Sequence, residues 1–229
     1  CQKEALEINK SFIHKNLTGR AFGVLKWAMT IDGRIGLING KSKWISNKTS
    51  RSFVHTLRTD FDAIIIGGNT LRKDNPLLTS RGKKLIEPLR VVFTKSLDLP
   101  ENLNLWDCKN AKTLVVYDES SANKNFLRKI PSCVEVAKIS SDKPSELSKL
   151  LANRGCNKVL WECGPKLATA AIKDGCIQET LTFISPKIIG GSGFTNPITD
   201  LLIENIDDAI LLSNSEMKTF DNDIYLKNK

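Results

Sequence analysis

The sequence predicts an α/β domain with a mostly parallel central sheet, flanked by helices and completed by antiparallel strands near its carboxyl end. Short apolar runs, typical of strands buried on both faces, alternate with amphipathic helical segments. This β-α-β alternation is typical of parallel sheets covered by helices. The tail from about residue 209 offers two strands without a helix between them, so we expect them to pair antiparallel at one edge.

The individual elements follow from apolar runs, capping residues and helix breakers. Strands are predicted over residues 21–29, 62–67, 89–94, 113–117, 158–162 and 179–189. Helices are predicted from an N-cap at Ser46 to about Asp60, and over residues 121–130, 144–154 and 165–174. Residues 191–205 have the composition of a long loop. Residues 1–19 are predicted to be a connector and residues 20–229 the folded domain.

Composition narrows the class of protein. The 229 residues are 41% hydrophobic and 26% charged, as in an ordinary globular protein, and suit one α/β domain or two small ones. No apolar run has the length of a membrane span, and the first residues lack the apolar centre of a signal peptide. We therefore expect a cytoplasmic protein with no membrane partner. Because the chain begins at Cys1, we also expect it to be a fragment of a longer protein.

Six cysteines and two histidines bear on metals and redox state. The cysteines form no CxxC pair, so a zinc site is not expected, and a chain of this length does not need a disulfide framework. We expect reduced, mostly buried thiols.

The net charge of +9 lies entirely in residues 1–100, whereas residues 101–229 are close to neutral. A nucleic-acid-binding face can show such asymmetry. Here the basic residues are neither clustered in dense blocks nor interleaved with aromatic residues. A small phosphorylated ligand, which needs only a few placed cations, fits better than a nucleic acid, and a solvated basic face remains an alternative for Lys83 and Lys84.

Ligands of open α/β sheets bind beyond the carboxyl ends of the strands. Four segments fall at such ends in the predicted sheet: Lys26–Asp32, Gly67–Asp74, Thr94–Ser96 and Glu162–Leu167. The first continues into a segment with Trp44 between cationic residues, which suggests a pocket for a flat, phosphorylated ligand. Asp32-Gly33 is expected to be a turn and not a catalytic pair.

Two of these segments can bind phosphate through backbone amides. Gly67-Gly68 follows a strand, and Glu162-Cys163-Gly164-Pro165 leads from a strand into a helix N-terminus, where anions are favoured. The alternatives are a plain strand-to-helix turn for the first and a capping turn with a surface glutamate for the second. Neither segment matches GxxxxGK[ST] or GxGxxG.

Two further groups are less specific. Arg51, His55 and Arg58 are spaced to share one helix face, and either a ligand phosphate or solvent can meet that face. Residues 74–81 form a Pro-stiffened loop in which Asp74 and Arg81 offer opposite charges. No Ser/His/Asp triad or carboxylate pair of a hydrolase is evident.

Taken in order and spacing, the segments LKWAMTIDGRI, GKSKWIS, HTLR, DAIIIGGNTLRKDNPLLTSR, WECGP and SPKIIGG resemble the pyrimidine reductases of riboflavin biosynthesis. Such a reductase is often the C-terminal half of a bifunctional deaminase/reductase. The resemblance runs from about residue 20 to about residue 193, and the first residues resemble the join after an upstream deaminase. The zinc deaminase signature itself is absent, so this chain is not expected to deaminate.

The resemblance implies a dihydrofolate-reductase-like fold, NADPH as cofactor, a homodimer, and reduction of the ribosyl group of 5-amino-6-(5-phosphoribosylamino)uracil to a ribityl chain. It implies a cofactor site formed by Ala28, Trp44, Thr70, Asp74, Gly164, Pro165, Lys166, Leu167, Ala168, Thr169 and Ala170. It implies a substrate site formed by Ser42, Arg58, Leu78, Arg81 and Glu162, with Arg58 and Arg81 facing the phosphate. Lys26 is expected to assist catalysis near the ribose, and Glu162 to share in it.

This chain departs from the family pattern at Gly23, where a β-branched residue is commoner, at Cys163, where glycine is usual, and at Lys95, where some members have serine. The last change leaves open whether NADPH is preferred to NADH. A non-catalytic nucleotide-binding member of the same fold and a true dihydrofolate reductase are the alternative interpretations. A true dihydrofolate reductase should carry a Pro-Trp loop and an acidic residue on the helix after the first strand, and neither is evident in this sequence.

Overall fold

A computed structural model describes residues 1–191 and 196–229, and nine strands of these residues form one sheet. The strand order is β5-β4-β3-β2-β6-β1-β7-β9-β8. β7 pairs antiparallel with β9, and β9 with β8, whereas all other pairs are parallel. The strand bounds are β1 Phe22–Thr30, β2 Ala63–Gly67, β3 Leu89–Thr94, β4 Thr113–Asp118, β5 Glu135–Ile139, β6 Lys158–Trp161, β7 Glu179–Ser185, β8 Asn214–Phe220 and β9 Asp223–Asn228. The predicted sheet with antiparallel C-terminal strands is confirmed.

Helices cover both faces of the sheet, and the sheet separates two apolar clusters. The helices are α1 Gln2–Thr18, α2 Lys48–Leu57, α3 Gly68–Asp74, α4 Pro144–Asn153 and α5 Pro165–Lys173. Val54 of α2 and Leu71 of α3 belong to one apolar cluster, while Leu151 of α4 and Ala171 of α5 belong to the other. Strands such as β2 are apolar throughout because each face meets one of these clusters.

The structure differs from the prediction at three elements. The N-cap of α2 is Asn47, whose Oδ1 accepts from the Ser50 amide at 2.8 Å, so the prediction of Ser46 was wrong by one residue. The helix predicted over residues 121–130 is a 3₁₀ helix at Lys124–Lys129. Strand β5 was missed because it is an edge strand with exposed polar residues and no continuous apolar run.

The region after β7 also differs from the prediction. β7 ends at Ser185, four residues before the predicted limit, and its continuation bends toward β1, where Asp32 accepts from the Gly190 amide at 2.7 Å. Asp32-Gly33 is the expected turn, closed by the bond from the Gly33 amide to the Thr30 carbonyl at 2.9 Å. Part of the predicted loop over 191–205, residues 192–195, lies outside the described residues.

The N-terminal residues form the helix α1, which packs on the sheet. Lys10 forms an ion pair with the buried Glu179 at the start of β7, and His14 contacts Phe22 edge-on with ring centroids 5.5 Å apart. Gly19 ends the helix in the left-handed conformation at φ 68°. The assignment of residues 1–19 as a connector stays a prediction.

Gly23 shows why this chain departs from the family pattern in its first strand. A Cβ on Gly23 would lie 1.8 Å from the Cys176 carbonyl oxygen, a distance that no side chain tolerates. The close approach is held by two bonds with Gln178, one from the Gly23 amide to Oε1 at 2.7 Å and one from the Gln178 amide to the Gly23 carbonyl at 2.8 Å. The glycine thus fixes the turn after α5 against β1.

The short strand β6 leaves a gap in the middle of the sheet. β6 pairs with β1 only as far as Leu25 and with β2 only as far as Ile65, because it ends at Trp161. β1 and β2 both continue past this point. β6 lies between β2 and β1, so the strand order reverses direction at this point of the sheet. Open α/β sheets bind ligands at such reversals.

Among the described residues, no helix combines the length and apolar character needed to cross a bilayer.

Candidate active site

A cavity of about 1510 Å³ opens at the gap beyond β6. This volume exceeds that of a pocket for one drug-sized ligand, so two ligands can be accommodated side by side. Fifteen of the residues singled out from the sequence line it: Lys26, Ala28, Ser42, Trp44, Arg58, Thr70, Asp74, Leu78, Arg81, Glu162, Gly164, Pro165, Lys166, Leu167 and Ala170.

Two of the expected cofactor residues do not reach the cavity. Ala168 is 1% exposed and packs in the apolar cluster beneath α5, and its amide donates to the Gly164 carbonyl at 3.0 Å. The Thr169 hydroxyl donates to the Pro165 carbonyl and accepts from the Thr199 amide. α5 turns these residues toward the sheet and the following loop, and their assignment to the cofactor site stays a prediction.

At the bottom of the gap, Arg58 and Glu162 form a bidentate ion pair. Nε of Arg58 donates to Oε1 at 2.7 Å and Nη2 donates to Oε2 at 3.0 Å, and both side chains are nearly buried. The third nitrogen, Nη1, donates to the Thr79 carbonyl at 2.8 Å. The guanidinium is therefore bound within the protein by three hydrogen bonds, and the expectation that it faces the substrate phosphate stays a prediction.

This pair determines the charge of Glu162. Burial alone would raise the pKa of the carboxyl group, but the Arg58 guanidinium, and beyond it the charges of Lys26 and His55, hold the pKa at about 2. Near neutral pH the group is a carboxylate that can accept hydrogen bonds and cannot donate a proton. Glu162 suits recognition of ring N–H groups or stabilisation of positive charge better than general acid catalysis.

Lys26 lies on β1, just past the residue where pairing with β6 stops. Burial lowers the pKa of its ammonium group, Glu162 opposes this shift, and Arg58 adds to it. The Nζ atom lies 5.5 Å from the centre of the Phe183 ring, and the ammonium has no hydrogen bond or ion pair with the described residues. A lysine with these properties can transfer a proton to a bound ligand.

The wall opposite Lys26 is built from two helix N-termini. α3 begins after Gly67 and α5 after Gly164, so both direct unpaired amides into the cavity. A Cβ on Gly68 would approach the Thr94 hydroxyl to 2.9 Å, and one on Gly164 would lie 3.6 Å from the Thr70 hydroxyl. The first distance is too short for a side chain unless Thr94 shifts, whereas the second is an ordinary contact, so the packing calls for glycine at position 68 only.

The loop after α3 forms one side of the cavity in a strained conformation. Asn75, Leu78 and Arg81 all have positive φ angles, between 40° and 58°, which is rare outside glycine. Glu87 braces the loop by accepting from the Ser80 amide at 2.6 Å and the Ser80 hydroxyl at 2.8 Å. The bracing holds Arg81, which is exposed, at the cavity wall.

The rim carries the tryptophan noted in the sequence. Trp44 is 62% exposed, with the Arg51 guanidinium 4.3 Å and the Lys43 ammonium 5.8 Å from its ring. Lys187, which the sequence gave no reason to select, secures the segment by donating to the Trp44 and Ile45 carbonyls at 2.9 and 2.6 Å. The aromatic face and the two cations are available to a planar or anionic ligand.

His55 is the residue that sequence reasoning undervalued. It was noticed as part of a basic helix face but not selected for the site, although it lines the cavity. Its Nδ1 lies 3.4 Å from Nη1 of Arg58. The helical spacing of His55 and Arg58 was the signal that could have identified it.

The fold and the cavity together define a dihydrofolate-reductase-like domain with its ligand site at the gap in the sheet. A dihydrofolate reductase from Enterococcus faecalis aligns over 91% of this chain with a TM-score of 0.51 and 12% identity, a likeness of fold alone. The sequence is more specific. Residues 21–226 match the model of the RibD C-terminal domain, and the chain belongs to that family.

Individual relatives are also proteins named for riboflavin biosynthesis. The chain is 42% identical over 212 residues to the riboflavin biosynthesis protein PYRR of Arabidopsis thaliana, and 40% identical over 214 residues to RibD of Synechocystis. These alignments cover 92% and 93% of this chain, but only 35% and 57% of the relatives. A Thermotoga maritima structure, described as a diaminohydroxyphosphoribosylaminopyrimidine deaminase/5-amino-6-(5-phosphoribosylamino)uracil reductase, aligns with a TM-score of 0.81 at 26% identity. The alignment covers 99% of this chain and 61% of that one.

The Arg58–Glu162 pair makes a prediction for stability. In Arg58→Met the Glu162 carboxylate loses its buried partner, so the free energy of unfolding should fall by about 3–5 kcal/mol. Adding Glu162→Leu should recover a large part of the loss, because no unpaired charge then remains. Urea denaturation of the four forms measures the cycle. Lys48→Met, at an exposed position of the same helix, should change the free energy of unfolding by about 0.5 kcal/mol or less; a loss there equal to that of Arg58→Met would contradict this account.

His55 makes a prediction for pH dependence. Burial lowers its pKa to about 4, and the charges of Arg58 and Arg81 act in the same direction. In the unfolded chain the imidazole protonates near its ordinary value of 6.5, so the unfolded state gains protons first and stability falls as pH drops from 6.5 to 4. Urea denaturation across this range should show a shallower decline for His55→Gln than for the native chain. Parallel curves for the two proteins would refute the assignment.

Proposed function

We propose that this chain carries the reductase activity of riboflavin biosynthesis, the NADPH-dependent reduction of the ribosyl group of 5-amino-6-(5-phosphoribosylamino)uracil to a ribityl chain. Its membership of the RibD C-terminal domain family and the names of its relatives support this proposal. The observation that carries it is the unpaired, half-buried Lys26 ammonium, whose pKa the nearby Glu162 carboxylate influences, in a cavity large enough for two ligands. The proposal includes a cytoplasmic location, which cell fractionation tests.

The residues present fit a dinucleotide cofactor. Gly164 and Thr70 approach each other at the N-terminus of α5, where a pyrophosphate would meet unpaired amides. Ala28, Trp44 and Asp74 supply the remaining wall. Bound there, NADPH supplies a hydride.

The preference for NADPH over NADH needs a cation for the 2′-phosphate. Lys166 in the first turn of α5 and Lys95 after β3 both line the cavity and are candidates. Lys95 also forms an ion pair with Asp142, so its charge is partly balanced. We therefore assign the 2′-phosphate to Lys166 first.

The substrate would lie between β1 and the loop after α3. Glu162, held as a carboxylate, would accept from the N–H groups of the uracil ring. Ser42 and Leu78 would flank the substrate, and Arg81, exposed and without the internal bonds that occupy Arg58, would bind its phosphate. Arg58 then positions Glu162 and does not contact the phosphate.

Lys26 would serve the proton side of the reaction. Reduction at the sugar C1′ requires the ribose ring to open, and the ring oxygen then needs a proton. The half-buried ammonium of Lys26, whose pKa is lowered by desolvation, is a suitable donor at that oxygen or at the adjacent nitrogen. The surrounding walls exclude water and hold the two ligands in register.

The activity is tested by following NADPH absorbance with the purified chain. We expect oxidation with the phosphoribosylamino-uracil and none with dihydrofolate. Lys26→Met should lower kcat by about 10²–10⁴-fold while leaving NADPH affinity within a few-fold, because it removes the proton donor and not the cofactor wall. Lys149→Met, on the exposed surface of α4, is the matched control and should be unchanged. NADPH binding without oxidation by the native chain would favour the non-catalytic interpretation, and near-normal turnover of Lys26→Met would remove Lys26 from the mechanism.

We further propose a homodimer formed through a C-terminal apolar surface, defined as Leu202, Ile206, Ile210, Leu211 and Met217. Their side chains are 56–90% exposed, and Met217 lies on the edge strand β8. Exposed apolar side chains concentrated in one short stretch, residues 202–217, are typical of an interaction site.

Sedimentation velocity should give the mass of a dimer for the native chain. Introducing charge with Leu211→Glu and Met217→Glu should shift it to monomer, because burying these carboxylates is costly. Ile8→Glu, at an equally exposed position on α1, should leave the dimer intact. A monomeric native chain at high concentration, or a dimer lost equally in the α1 variant, would reject this surface.

A further inference from the structure

Two cysteines far apart in the sequence meet at the side of the sheet formed by β3 and β4. Cys108 follows the helical turn Asn104–Trp106, and Cys133 lies in the turn before β5. The Cys133 thiol donates to the Trp106 carbonyl at 3.4 Å, two residues before Cys108. The two thiols are close enough to interact, since Cys133 helps to raise the pKa of Cys108. Cys133 is exposed and Cys108 is half-buried against the core. The expectation of mostly buried thiols was therefore wrong, since Cys156 and Cys176 alone are buried.

A buried arginine fixes the backbone around this thiol pair. Arg90 of β3 is 2% exposed, and its Nη2 donates to three carbonyls, those of Leu105, Asp107 and Ala111, at 3.1, 2.7 and 2.7 Å. The guanidinium is close enough to both thiols for their charges to interact with it. Burial and the neighbouring Cys133 raise the pKa of Cys108, and the Arg90 charge opposes this rise. The half-buried Cys108 therefore suits the second, resolving step, and the exposed Cys133 suits the first attack on an oxidant.

We propose that Cys108 and Cys133 form a reversible intramolecular disulfide when the protein meets a small disulfide oxidant such as oxidised glutathione. The exposed Cys133 thiolate attacks one sulfur of the oxidant, forms a mixed disulfide and releases one glutathione thiolate. Cys108 then attacks the Cys133 sulfur and releases the second. In total the two cysteines lose two electrons and two protons, and one molecule of oxidised glutathione is reduced to two molecules of glutathione thiol.

The arrangement favours this pair over the other thiols. Burial raises the pKa of Cys163 to about 12 and that of Cys156 to about 11, so both remain unreactive thiols near neutral pH. Cys176 is buried, and burial raises its pKa to about 12. Cys1 is exposed but lies at the start of α1, and it is the thiol to remove in a test.

The disulfide would act on the cavity wall through one short segment. Asn104 lines the cavity, its amide donates to the Asn75 Oδ1 at 2.7 Å, and its Nδ2 donates to the Asn75 carbonyl at 2.6 Å. Asn75 ends α3. Tying Cys108 to Cys133 would restrain residues 104–111 and also shorten the unfolded chain, so the oxidised form should be the more stable.

The test uses the chain with Cys1→Ser, equilibrated with mixtures of oxidised and reduced glutathione. We expect the intact mass to fall by two hydrogens, a proteolytic peptide linking residues 108 and 133, and a melting temperature several degrees higher that dithiothreitol reverses. Hydrogen exchange at residues 104–111 should slow in the oxidised form.

Two variants separate the steps. With Cys133→Ser added, in which a hydroxyl replaces the thiol as donor to the Trp106 carbonyl, neither the linked peptide nor the stabilisation should appear. With Cys108→Ser added, Cys133 should instead retain one glutathione, because the resolving thiol is gone. Both variants should melt like the parent under reducing conditions. A stable glutathione adduct on Cys133 while Cys108 is present, or two unreacted thiols under strongly oxidising mixtures, would overturn the proposal.

Discussion

The ion pair between Arg58 and Glu162 is the interaction on which the candidate site depends. It joins the end of α2 to the residue that follows β6, at the bottom of the gap in the sheet. Breaking it would leave a charge in a place with little water, so the two side chains hold one another in a single geometry. Through Nη1 the same guanidinium also holds the Thr79 carbonyl, and with it the loop after α3. Three walls of the cavity are thereby fixed to one side chain.

This pair also sets the electrostatics of the neighbouring groups. Glu162 stays ionised, and its charge partly offsets the cost of burying the Lys26 ammonium. The charge of Arg58 acts in the opposite sense on both Lys26 and His55, whose pKa values it helps to lower. The cavity floor therefore holds one carboxylate, one guanidinium and two bases of reduced proton affinity. Such clusters of perturbed groups in a cleft are typical of catalytic sites.

Much of the fold was predictable because its central strands are apolar on both faces and punctuated by glycine and proline. β2, β3 and β4 were found within a residue of their bounds, and α5 by its Pro165 start. The edge strand β5 was missed because its side chains are half exposed, and the 3₁₀ helix at Lys124–Lys129 was mistaken for an α-helix because local composition does not distinguish the two. The positions that line the cavity came largely from the family resemblance. Neither the sequence pattern nor the family resemblance predicted which side chains form ion pairs. No spacing rule indicates that Arg58 reaches a glutamate 104 residues away.

That pairing changes how a phosphorylated ligand must be recognised. The sequence alone suggests that the arginines near the cavity bind the phosphate. The Arg58 guanidinium, however, makes hydrogen bonds of 2.7, 3.0 and 2.8 Å to the protein, so its main donor directions are occupied. The cations best placed to meet a phosphate are Arg81 and Lys43, which are exposed at the rim, whereas Arg51 already donates to the Ser46 carbonyl at 2.6 Å. Binding at the rim would leave the floor, with its lysine and its carboxylate, to the part of the ligand that reacts. In the proposed reaction this separation would keep the strongly hydrated phosphate near water and the reacting carbon away from it, where exclusion of water prevents side reactions.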